Sequence, residues 1–154
     1  MRRNWLAALL GLAAVLALVG CRRGGGEQIQ PDSVREADQF TVDVVCQSED
    51  VLRIFYSWYV DGNERGMGGI ADLDGAVIPP GSSFSIPFTQ ESFEEGDDLS
   101  LFSMTLSPYG EEDTQEAGTT DPVAIPARYG ERYTVVLSGD REAGFTAAVE
   151  QDET

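Results

Sequence analysis

The sequence predicts an all-β protein, an antiparallel β-sandwich of seven to eight short strands preceded by a leader and a tether. Three observations predict it. From Phe40 onward, apolar and polar residues alternate with the period of half-buried strands. No stretch beyond the tether sustains a helical repeat. The 17 glycines and 7 prolines of the chain punctuate the alternating runs, where turns belong.

The first strand places Val42, Val44 and Cys46 on one face, with Thr41 and Asp43 opposite. The second, Val51 to Val60, carries an apolar face of Leu52, Ile54, Tyr56, Trp58 and Val60. Phe84, Ile86 and Phe88 alternate with Ser83, Ser85 and Pro87, and Phe102, Met104 and Leu106 with Leu101, Ser103 and Thr105. Val123, Ile125 and Ala127 form a shorter run. Tyr133, Val135 and Leu137 write one further strand, and Phe145, Ala147 and Val149 another. An eighth strand falls at Gly66–Ala71 or at Ala76–Ile78. Turns are expected at Gln47-Ser48-Glu49-Asp50, Asp61-Gly62-Asn63, Pro79-Pro80-Gly81, Gly96-Asp97-Asp98 and Ser138-Gly139-Asp140.

Residues 40–154 in seven or eight short strands have the size and pattern of an immunoglobulin-like sandwich. Gly130-Glu131-Arg132-Tyr133 opens a strand in the manner of a tyrosine corner. Val51-Leu52-Arg53-Ile54-Phe55 also resembles an early strand of the small lipoproteins of secretion-system membrane complexes. That resemblance implies a transthyretin-like sandwich as the other arrangement, and a scaffold role.

The leader comprises Arg2-Arg3 followed by an Ala/Leu/Val-rich run from Trp5 to Val19, the layout of a secretory signal and short for a membrane span. Leu18-Val19-Gly20-Cys21 resembles the lipobox of bacterial lipoproteins. The resemblance implies that residues 1–20 are a signal peptide and that Cys21 carries the lipid. It also implies a protein anchored through its acyl chains in the cell envelope, at the outer membrane or cell surface. Arg2-Arg3 is also similar to the twin-arginine export pattern. Residues 21–39 read as the lipidated cysteine and a flexible tether, Gly-rich after Arg22-Arg23, with a capping box from Ser33 to Glu36 that allows one helical turn.

Charge and composition narrow the function. Ten basic residues, all arginine, face 27 acids, for a formal charge of −17. Removing residues 1–20 takes away two arginines and no acid, which leaves −19. A charge of this sign repels phosphate, so no nucleic-acid partner is expected. Without histidine there is no Ser-His-Asp triad or His-ligated metal, and no catalytic residue, metal ligand or cofactor is assigned. Arginine in place of every lysine, with so many acids, resembles proteins of salt-loving or high-GC organisms.

Cys46, on the face of Val42 and Val44, reads as a small buried hydrophobe, with an intermolecular disulfide as the alternative. The opposite face of the second strand carries Arg53, Phe55 and Tyr59, aromatics that the core stripe does not need. They form the candidate interaction surface, for an envelope protein or a glycan, unless a loop or neighbouring strand covers them. Asp61-Gly62-Asn63-Glu64-Arg65-Gly66 with Asp72 is similar in spacing to a Ca²⁺ loop, but Arg65 occupies a ligand position, and the segment reads more simply as a turn leaving a strand. Two acidic clusters, Glu91 to Asp98 and Glu111-Glu112-Asp113 with Glu116, read as solvated loops that bind Ca²⁺ weakly at most.

Overall fold

The computed structural model describes residues 36–110 and 117–150; the leader, Cys21, the tether before Glu36 and the cluster at Glu111-Glu112-Asp113 and Glu116 lie outside them. After one 3₁₀ turn, Glu36–Asp38, eight strands follow: β1 Gln39–Cys46, β2 Arg53–Val60, β3 Asn63–Ala71, β4 Ser82–Thr89, β5 Phe102–Tyr109, β6 Val123–Ala124, β7 Arg132–Asp140 and β8 Gly144–Glu150. They form two four-stranded sheets, in the orders β4-β1-β7-β8 and β3-β2-β5-β6. The fold is an all-β sandwich, with every pair antiparallel except β1 and β7, which run parallel.

The strand order separates the two expected arrangements. An immunoglobulin-like sandwich keeps its first two strands in one sheet. Here β1 pairs with β4 and β7 while β2 crosses to the other sheet, so the transthyretin-like arrangement is the match. The alternating faces are the core: Phe40, Val42, Val44, Ile54, Phe88, Phe102, Met104, Leu106, Val135 and Leu137 are all essentially inaccessible. Cys46 is fully buried among them. Its Sγ–H donates to Ser48 O at 3.6 Å, and burial pushes the thiol up from its ordinary value, away from the reactive thiolate.

The two ends of the sandwich differ. Where the chain enters β1, Phe40 meets Phe88 at 5.1 Å and Phe102 at 5.2 Å between ring centroids, within a cluster that includes Trp58, Phe93, Tyr129 and Tyr133. Beside it the Tyr133 hydroxyl accepts from Arg128 N–H and reaches Pro126 O, both at 3.1 Å, the upstream backbone tie of a tyrosine corner. At the far end lie the β1–β2 connection, the end of β5 and the β7–β8 turn.

Four local readings are corrected or resolved. The eighth strand is β3, not Ala76–Ile78, where Ile78 is buried and donates its N–H to Val51 O without joining a sheet. Asp61 and Gly62, at φ 50° and 75°, form a two-residue hairpin turn, and the segment up to Ala71 is extended strand that does not wrap an ion. Ser138-Gly139-Asp140 is ladder, not turn. A side chain at Gly139 would stand 2.2 Å from Gly144 O, and the turn lies beyond Asp140, whose carboxylate accepts from Glu142 and Ala143 N–H. The Glu91 to Asp98 cluster is not wholly solvated: Asp97 holds Arg65 of β3 through two hydrogen bonds of 2.7 and 2.8 Å.

Candidate functional site

The candidate surface lies on the outward face of β2 where residues 53, 55, 57 and 59 point away from the core. Its cross-strand partners are Gly69 of β3 and Ser107 of β5 for Phe55, and Ala71 and Tyr109 for Arg53. Phe55 is 43 % exposed, so neither a loop nor a strand covers it. Its ring leans over its β3 neighbour, where a Cβ at Gly69 would sit 3.3 Å from it.

The structure brings Arg53 and Phe55 together with a residue the sequence reading missed. Tyr109 packs edge-on against Phe55 at 5.2 Å, and the Arg53 guanidinium stands 5.1 Å from the Tyr109 centroid and 5.9 Å from that of Phe55. Attraction of a cation to two ring faces holds this triad. Arg53 makes no ion pair among the described residues, in a chain of 27 acids, and its buried Nε has no hydrogen-bond partner. The outward alternation of β5 continues past Leu106 through Ser107 to Tyr109, and that period was the signal for it.

Tyr59 is not part of the triad. It lies four residues along the strand from Phe55, about 13 Å at the rise of an extended chain, opposite Glu64 and Ser103. Met67, 71 % exposed and opposite Ser57, continues the apolar face toward the edge of the sheet. Tyr109 also lines a cleft of about 590 Å³ at the far end of the sandwich, with Val51, Pro108 and Phe145 and the acids Glu49, Asp50, Asp140 and Glu142. Among the described residues no group of His, Cys, Asp and Glu side chains is placed to hold a metal ion.

This arrangement can bind. It presents an arginine packed over two aromatic rings, the residue types that dominate protein interfaces. A sugar stacking on the ring faces that Arg53 occupies would have to displace it.

No protein-family model matches this chain, and no curated protein matches it. Two solved structures align with part of this chain. The NMR structure of a protein from Eubacterium rectale aligns over 77 % of this chain and 95 % of its own, with 12 % identity and a TM-score of 0.44. The crystal structure of a Gram-negative toxin aligns over 76 % of this chain with 12 % identity and a TM-score of 0.36, and this chain spans 24 % of that one. Neither likeness bears on activity.

Proposed function

We propose that this chain is a lipid-anchored lipoprotein of the cell envelope, exported and held at the outer membrane or cell surface through Cys21, whose sandwich is a non-catalytic interaction domain. The observation that carries the binding half is the Arg53–Phe55–Tyr109 triad. It is an exposed aromatic face capped by an arginine that makes no ion pair among the described residues.

The partner this favours is an envelope protein over a glycan, because the guanidinium already occupies ring faces on which a sugar would stack. A second reading, a scaffold component of an envelope or secretion-system membrane complex, is favoured by one specific feature. The β4-β1-β7-β8 and β3-β2-β5-β6 order is the transthyretin-like arrangement implied by the resemblance to lipoproteins of such complexes.

Two experiments test the two halves separately. Cys21→Ser should release the protein from the membrane fraction, and continued partition at mature mass would defeat the lipid anchor. Crosslinked membranes should yield a fixed protein partner with the natural chain and lose it with Arg53→Ala/Phe55→Ala. Equal capture by both would defeat the triad.

A further inference from the structure

We infer that the edge of β3 from Gly66 to Ala71 takes up an extended, uncharged segment of a partner protein by strand addition. The inference rests on the reading of the sandwich as an interaction domain. β3 is the outermost strand of its sheet, and among the described residues its backbone bonds only to β2. An antiparallel edge strand leaves the N–H and C=O of every second residue facing outward, a template for one more strand.

The edges are not equivalent. β4 carries Pro87, which has no N–H to donate, and β6 is two residues long. The first part of β3 is protected by the irregularity opposite Trp58 and Tyr59 and by Arg65, which is committed to Asp97. Beyond it, Gly66-Met67-Gly68-Gly69-Ile70-Ala71 has no charge and no proline, in a chain of which 24 % is charged. The exposed large hydrophobic residues among those described are Phe55, Met67, Leu73 and Leu101. Met67 is on this edge, Leu73 follows it, and Phe55 is paired with Gly69. None lies on β8.

A groove of about 520 Å³ separates β3 from β4, lined by Tyr56, Gly69, Ile70, Ala71, Phe84 and Ile86 among others, none of them charged. A strand laid along β3 would send alternate side chains into it, so main-chain bonds supply affinity and the groove supplies selectivity for apolar residues. Charge identifies the occupant. A second copy would bring together two exported chains of −19 each, whereas a neutral segment of a partner meets no repulsion at an uncharged edge.

The test is amide hydrogen exchange on the full exported chain in detergent, with a capped nonapeptide that alternates valine and threonine. At about 1 mM peptide, exchange at residues 66–71 should slow by about tenfold or more while β8 is unchanged. The same peptide N-methylated at alternate residues should give no protection, and Met67→Lys/Ala71→Lys should weaken binding by about tenfold through a charged edge. Equal protection of β8, or none in β3, would overturn the inference. So would protection without peptide that grows with protein concentration as a dimer forms, since the occupant would then be a second copy. If β3 takes no peptide while membranes still yield a partner through Arg53 and Phe55, this inference fails alone. If no partner is captured either, the interaction reading fails with it.

Discussion

Gly66→Ala should destabilise the sandwich although it removes nothing from the core and places alanine on ordinary backbone. Gly66 sits opposite Trp58, and a Cβ there would stand 2.4 Å from Cζ2 and 2.5 Å from Cη2 of the indole. Carbon atoms pack at about 3.5–4.0 Å, so the ring must retreat by about 1 Å. It has little room to do so: its Nε1–H donates to Ser92 O at 3.1 Å, and its ring packs edge-on against Phe88 at 5.4 Å. Overpacking of this kind costs about 1–3 kcal/mol, and loss of the indole hydrogen bond adds about 1 kcal/mol. Replacing glycine stiffens the unfolded chain and returns about 0.4–1 kcal/mol. The net expectation is a loss of about 1–3 kcal/mol, which lowers the melting temperature by about 4 °C for each kcal/mol in a domain of this size. Urea unfolding followed by tryptophan fluorescence measures it directly, because Trp58 is the only tryptophan beyond the leader. Gly69→Ala is the matched control: its Cβ meets the exposed Phe55 ring at 3.3 Å and otherwise Ile54 O at an ordinary 4.0 Å, and it should stay within about 1 kcal/mol of the natural chain. Trp58→Phe combined with Gly66→Ala should lose less than the sum of the two. A Gly66→Ala chain as stable as the natural one, with unchanged Trp58 emission, would refute the reasoning.

Three further outcomes are expected. Stability should fall in acid: burial pushes the Asp43 carboxyl up, but hydrogen bonds from Ser85 and Arg132 bring it to a net value below the ordinary 3.8, while Arg65 lowers Asp97 and Ser100 lowers Asp98. Groups lowered in the folded state stabilise it above their ordinary value and lose that contribution as pH falls through the folded one, so the urea midpoint should drop below about pH 4. Arg65→Ala should shrink that drop, and a midpoint flat from pH 5 to 2.5 would contradict it. Tyr133, pushed up to about 12 by burial and by Glu131, favours the folded state below its ordinary 10 and loses that contribution as pH rises toward 12; Tyr133→Phe should flatten the alkaline limb of a stability–pH curve. The melting temperature should climb steeply with NaCl, since the Debye length falls to about 3 Å at 1 M and the 27 acids then repel one another far less; calorimetry across salt concentrations reads this, and a level curve would remove the case for a salt-adapted surface.

Which faces are buried was legible, because period two in Val42-Val44-Cys46 or Phe102-Met104-Leu106 says which side meets the core. Which strands are neighbours was not: alternation carries no information on pairing, and the parallel β1–β7 contact follows from the crossover of β2. β3 was half-hidden for a packing reason. Its inward positions Gly66 and Gly68 have no side chains, and Trp58 and Tyr56 of β2 lie over them, so the apolar signal of one strand is written in its neighbour. Gly139 misled in the opposite sense, as a turn residue that instead permits close backbone approach within a ladder. Arg53 and Phe55 were legible as residues surplus to the core stripe, whereas Tyr109 required the register that sets β5 beside β2. Asp97 was read as solvent-facing because nothing in a loop sequence announces the arginine 32 residues earlier that it holds.

The central claim is that the far face of β2, around Arg53, Phe55 and Tyr109, is where this domain meets a partner. Photo-crosslinking in cells tests it most directly, with a photoreactive phenylalanine analogue placed at Phe55 and, as control, at Thr146 on the exposed face of β8. A discrete protein adduct at position 55 that is absent at 146 and disappears with Arg53→Ala is the expected result. The same adducts at both positions, or none at 55 with the protein correctly localised, would contradict the account.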